Sequence, residues 1–129
     1  MAEEHEIPER VLRFIGENID DVPQLETLLI MSETPERHWR VAEIAARNYI
    51  SEQRAESVLG TLARRGLVSA DEAHLHFRFA PGLPETRSLV AEVSVVYQAN
   101  LARIATFIHS KPSASIKEFA RAFDFKKDR

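Results

Sequence analysis

Ser51-Glu52-Gln53-Arg54-Ala55-Glu56-Ser57-Val58-Leu59-Gly60-Thr61-Leu62-Ala63-Arg64-Arg65-Gly66-Leu67-Val68 is the stretch on which the fold of this chain turns. Ala55, Val58, Leu59, Leu62 and Ala63 recur at the i, i+3, i+4, i+7, i+8 spacing of a helix with one buried face. Ser51 stands at the N-cap position and Glu52 beside the positive helix end. Gly66 follows Arg64 and Arg65 where a left-handed C-cap belongs. Just upstream, Val41-Ala42-Glu43-Ile44-Ala45-Ala46-Arg47-Asn48 predicts a shorter helix with Val41, Ile44 and Ala45 inward. About four residues join the two, a link short enough to force a helix-turn-helix corner, with Ile50 plugging the gap.

The polar side of the second helix points to a function. At about 100° per residue, Gln53, Ser57, Gly60 and Arg64 lie opposite the buried stripe, with Arg54 and Thr61 beside them. Amide, hydroxyl and guanidinium groups on one helix face suit the base edges and phosphates of a major groove. After Gly66 the period changes to two. Leu67-Val68 opens a strand, residues 69–72 turn it, and Ala73-His74-Leu75-His76-Phe77-Arg78-Phe79-Ala80 alternates. Leu75, Phe77 and Phe79 are expected on one side of this wing and His74, His76 and Arg78 on the other.

This pattern resembles the winged helix-turn-helix superfamily of bacterial transcriptional regulators. Ile44-Ala45, Ile50, Val58, Leu62, Gly66-Leu67-Val68 and the alternating strand carry the resemblance, which covers roughly residues 22 to 80. It implies a mainly α fold with a small β-wing and a double-stranded DNA partner. The candidate DNA-contacting residues are Gln53, Arg54, Ser57, Thr61, Arg64 and Arg65 on the helix and His74, His76 and Arg78 on the wing. Exposed arginines also pair locally, here with Glu52 or Glu56, and those two carboxylates would repel phosphate. Winged helices also serve as protein-docking modules. The alternative reading is therefore a module that grips another regulatory protein through the acidic N-terminal third or the Phe-rich C-terminal tail.

The flanks fit one domain with appended helices: a tail and helix over 1–21, the winged helix over 22–80, and helices over 84–129. Pro8 suits the first turn of helix 1, with Val11, Leu12, Ile15 and Ile19 as its stripe. Asp20 or Asp21 caps the next helix, Pro23 opens it, and Leu25, Leu28, Leu29 and Met31 place it under the helix-turn-helix. His38-Trp39-Arg40 is a candidate short strand beside the wing, with Trp39 packed beneath it. Pro81-Gly82-Leu83-Pro84 breaks the chain. A long helix is predicted from Glu85 to about Ser110, on the order of 40 Å at 1.5 Å per residue. Its broad stripe runs from Leu89 to Ile108, with Asn100 inside it. Helix 1 covers part of that stripe, and an apolar remainder this large predicts a homodimer through helix 1 and the long helix. Ser115-Ile116-Lys117-Glu118 matches a capping box for a short last helix. Three of the seven Phe, at 119, 123 and 125, lie in the final eleven residues.

Charge sets limits on partners. The chain of 129 residues has formal net charge −3. Met1 to Arg37 contributes −7, His38 to Gly66 +2, residues 67–83 −1 and residues 84–129 +3, so the acidic load lies mostly away from the reading helix. There is no cysteine, hence no disulfide and no thiolate metal site, which fits a reducing, cytoplasmic setting. The acidic start is unlike a signal peptide, and no apolar run reaches the ~20 residues of a membrane span. The four glycines are scattered and no nucleophile elbow is present. No catalytic residue, cofactor or metal is expected. A His74/His76 pair on one strand face would need a third ligand from Asp71, Glu72 or His109 to hold a metal.

Overall fold

The computed structural model describes residues 6–110. The expected last helix and the Phe-rich tail lie outside them. In chain order the elements are α1 (Glu9–Asn18), α2 (Val22–Glu33), α3 (Val41–Asn48), α4 (Glu52–Arg64), β1 (Val68–Ala70), β2 (Phe77–Phe79), α5 (Pro84–Ala99) and α6 (Leu101–Ser110).

Helix ends fall where local chemistry puts them. The Asp21 side chain caps α2 by accepting from the Gln24 N–H at 3.0 Å, with Pro23 in the first turn. Ser51 caps α4 by accepting from the Arg54 N–H at 3.0 Å. At the far end of α4, the Leu67 N–H reaches the Leu62 carbonyl and the Gly66 N–H the Ala63 carbonyl, both at 3.0 Å. That is a Schellman closure, and Gly66 supplies its left-handed residue at φ 76°.

The same closure ends α3 without a glycine. The Ile50 N–H donates to the Ala45 carbonyl at 3.1 Å while Tyr49 holds φ 59°. A tyrosine in that region is strained, and its ring, 94% exposed, packs on nothing that would repay the strain. Tyr49→Gly is therefore expected to raise stability by about 1 kcal/mol, read as a higher midpoint in urea with an unchanged slope.

The core gathers on α2. Leu25, Leu28 and Met31 are fully buried with Ile44 of α3 and Leu59 and Leu62 of α4. β1 and β2 pair antiparallel in the register Val68↔Phe79, Ser69↔Arg78, Ala70↔Phe77. Trp39 adds a bridge on the other side of β2, exchanging backbone hydrogen bonds with Phe77 at 2.7 and 2.8 Å. Trp39 is buried, and the Arg37 guanidinium sits 3.5 Å from its ring centroid. α1 buries Val11, Phe14 and Ile15 and lies against α5, where Arg10 grips Glu92 with a 2.7 Å Nε bond to Oε1. Phe14, which the sequence stripe omits, is buried where Leu12 is only half-buried.

Two expectations are corrected. The long C-terminal helix is two consecutive helices, broken at Asn100, which holds φ −140° and ψ 42°. Its buried side-chain amide donates to the Val96 carbonyl at 2.9 Å, occupying an acceptor that a continuous helix gives to a backbone N–H. The Asn100 carbonyl then accepts from the Ile104 N–H at 2.9 Å and starts α6. The alternating run 73–80 is also not one strand. Only Phe77–Phe79 is extended and paired, His74 turns back at φ 59°, and Leu75 is 60% exposed.

Candidate nucleic-acid interface

α4 carries the candidate surface because its other side is fully used. Ala55, Val58, Leu59 and Leu62 are buried against α2 and α3. What remains outward is polar: Gln53, Arg54, Ser57 and Arg64 are exposed and Thr61 is half-buried. Arg64 Nη2 donates to Thr61 Oγ1 at 3.1 Å, so these two present together, one turn apart. Gly60 keeps that strip low, since a Cβ there would touch the Arg64 guanidinium at 3.5 Å. Glu52 and Glu56 are exposed on the same helix.

The other two arginines are engaged elsewhere. Arg54 Nη2 donates to Asp21 Oδ2 at 2.6 Å. Arg65, half-buried, donates through Nη2 to Asp20 Oδ2 at 3.0 Å and through Nη1 to the Asn18 carbonyl. Both ends of α4 are thus tied to the corner between α1 and α2. The pairing expected with Glu52 or Glu56 is replaced by pairing with the corner, 33 and 45 residues away in sequence. No helical spacing signals partners at that distance.

The wing divides its candidates. Arg78 is exposed in the middle of β2, across from Ser69. His74 and His76 belong to the loop, so strand geometry does not bring them to one face. Asp71 organises that loop. Its Oδ1 accepts from the Leu75 N–H at 2.8 Å and the His76 N–H at 3.2 Å, and Oδ2 accepts from His76 Nδ1 at 2.9 Å. Among the described residues, no group of three or more His, Asp or Glu side chains is placed to hold a metal.

The hydrogen bonds from the His76 ring and the Leu75 amide pull the Asp71 carboxyl down to about 2 from 3.8. A carboxyl whose folded pKa lies below its unfolded value stabilises at pH above the unfolded value and loses that contribution as pH falls. Acidification from about pH 4 to about pH 2 should therefore loosen the wing tip. Protection of the Leu75 and His76 amides, taken against their intrinsic exchange rates, should fall over that window in the wild type, and Asp71→Ala, which has no acceptor for either N–H, should show low protection throughout.

Sequence reasoning passed over three exposed side chains of the helix-turn-helix. Arg40 and Arg47 are exposed at the two ends of α3, and Tyr49 projects from the turn between α3 and α4. Their positions depend on how α3 is rolled against α2, which its short apolar pattern leaves loose.

No protein-family model matches this chain, and no curated protein matches it. Solved structures do. A MarR family protein of Mycobacterium tuberculosis is 20% identical with TM-score 0.50, over 92% of this chain and 89% of that one. A MarR family transcriptional regulator of Silicibacter pomeroyi is 18% identical with TM-score 0.51, over 95% and 85%. MepR, a transcription regulator of the Staphylococcus aureus multidrug efflux pump MepA, is 14% identical with TM-score 0.51, over 98% and 89%. At these identities the likeness is one of fold. The chain has a winged helix-turn-helix fold, mainly helical, with a two-stranded wing and flanking helices.

Proposed function

We propose that this protein is a sequence-specific double-stranded DNA-binding transcriptional regulator acting as a homodimer. The observation that carries the reading is the outward strip of Gln53, Ser57 and Arg64, which no other part of the described chain covers. α4 enters the major groove with Gln53, Ser57, Thr61 and Arg64 toward bases or phosphates, and Arg78 of the wing meets the adjacent backbone. His74 and His76, in the wing loop, add backbone contacts in this reading. Arg54 reaches phosphate in competition with Asp21, which holds its Nη2. Arg65, held by two partners, serves chiefly to frame the helix. The solved structures of similar fold include proteins described as transcriptional regulators, which supports the same use of the fold here.

The dimer is assigned to the outer sides of α1, α5 and α6. Val95 is 71% exposed and Leu101 51% exposed on the C-terminal helices, and Phe107 is only partly covered. Exposed apolar side chains of this size on these helices favour burial against a second copy. Among the described residues, no helix is long and apolar enough to cross a membrane.

The test is selection of bound duplex from a random pool, with the mass of the complex measured on the same sample. The reading expects an inverted repeat with half-sites about one helical turn apart and two protomers bound. A pool that stays random through successive rounds contradicts it.

Exposed Glu52 and Glu56 favour a second reading, a winged helix that docks a protein through its acidic N-terminal third or its C-terminal tail. A salt titration separates the two. Binding through several arginine–phosphate contacts weakens steeply with salt, whereas the second reading expects no duplex shift even at low salt.

A further inference from the structure

The corner between α1 and α2 does more than connect two helices. Asp21 divides its carboxylate: Oδ1 caps α2 through the Gln24 N–H, and Oδ2 holds the Arg54 guanidinium at 2.6 Å. The corner is itself braced, with the Asp20 N–H donating to Gln24 Oε1 at 2.8 Å. Arg54 is in the first turn of α4, and arginines and helix N-termini are among the groups that contact phosphate oxygens in protein–DNA interfaces. Its side chain is 48% exposed and that of Asp21 31%, so the pair lies at the surface, where an incoming phosphate can compete for the guanidinium. α4 itself carries Arg54 and Arg64 against Glu52 and Glu56, a net charge of zero. Taking Arg54 into an ion pair removes half of the positive charge on the helix.

We infer that Asp21 is an internal stand-in for a DNA phosphate. It positions Arg54 and withholds it from the duplex, lowering sequence-independent attraction so that binding depends on the groove contacts of Gln53, Ser57 and Arg64. The inference rests on the DNA reading for its consequence, but not for its geometry. Any polyanion that binds Arg54 competes with the same carboxylate.

Asp21→Asn separates the two jobs of the residue. Asparagine is as good an N-cap as aspartate, so α2 keeps its cap, while the charge that holds Arg54 is gone. Four proteins are compared on a random-sequence duplex across a range of salt: wild type, Asp21→Asn, Arg54→Gln and the double variant. Circular dichroism confirms that each is folded. Asp21→Asn should bind roughly three- to tenfold tighter at low salt, with the slope of log K against log salt steeper by about 0.9, the value for one added phosphate contact. Without Arg54 the substitution should gain far less. A merely structural role for Asp21 would not produce a gain that requires Arg54. Equal or weaker binding by Asp21→Asn, or an equal gain in the Arg54→Gln background, overturns the inference.

If none of the four binds any duplex at low salt, the DNA reading fails, and elution from a heparin column decides the inference by itself. Later elution of Asp21→Asn, abolished by Arg54→Gln, would uphold the withheld arginine. Unchanged elution would overturn it.

Discussion

Leu62→Asp should leave the chain without a cooperative thermal transition. Leu62 is fully buried, beside Leu59 on the face of α4 that meets α2 and α3. An aspartate there exchanges an apolar contact for an unpaired charge in the core. Losing the buried leucine alone costs about 2–5 kcal/mol, and burying an unpaired polar group adds to that. Domains are stable by only about 5–15 kcal/mol, so the sum reaches most or all of the total. Val58→Asp, one turn earlier and also buried, should do the same. Ser57→Asp is the control, because the same charge on the exposed side of the same helix should change stability by no more than about 0.5 kcal/mol. Melting curves of the three variants check this. A cooperative Leu62→Asp melt near the wild-type midpoint would mean that α4 is not seated by its Leu62 face.

Arg64→Ala should do the reverse, keeping the fold and losing the duplex. Arg64 is exposed, and its guanidinium donates to Thr61 Oγ1 within its own helix rather than to another element. Removing it should cost little stability. If it makes a base or phosphate contact, its loss costs about 1–3 kcal/mol, or roughly 5- to 150-fold in affinity at fixed salt. The pattern of the loss identifies the contact. A base contact relaxes the preference at one position of the selected site, whereas a phosphate contact weakens all sequences alike and lowers the salt slope by about 1. Fluorescence anisotropy with the selected duplex and single-base variants distinguishes these. Unchanged affinity on every duplex would remove Arg64 from the interface.

The features legible in the sequence are those whose causes lie within a few residues. Asp21 and Pro23 start α2, Ser51 starts α4, and Gly66 ends it, because caps are chemistry between near neighbours. The buried stripe of α4 is legible for the same reason: a helix repeats its own geometry.

Where two local outcomes compete, the pattern is silent. Asn100 lies inside an apolar stripe that continues on both sides, so periodicity favours one helix. The break comes from a side-chain amide that takes the Val96 carbonyl. In the wing, alternation from Ala73 to Ala80 favours a longer strand. Asp71 gathers the Leu75 and His76 amides with one oxygen, and the strand begins only at Phe77.

The candidate site was half legible. Its outward strip follows from helix periodicity, and the structure leaves Gln53, Ser57 and Arg64 exposed. The capture of Arg54 and Arg65 by the α1–α2 corner depends on tertiary packing that brings distant acids to both ends of α4. The Tyr97 phenol shows the same dependence. Burial and its 2.9 Å hydrogen bond to Glu26 raise it to about 12, joining α5 to α2 across a gap that no sequence spacing spans.

The chain contains no cysteine, so a single introduced thiol labels one position cleanly. Ser57→Cys places a cleaving iron chelate on the outward strip of α4, and the same chelate free in solution beside the cysteine-free wild type is the control. With duplex bound, the Ser57 label should cut both strands in short windows facing the major groove of each half-site, while the free chelate should cut evenly along the duplex. Even cutting from the Ser57 label, or no duplex held by the wild type at low salt, would contradict an α4 that reads DNA.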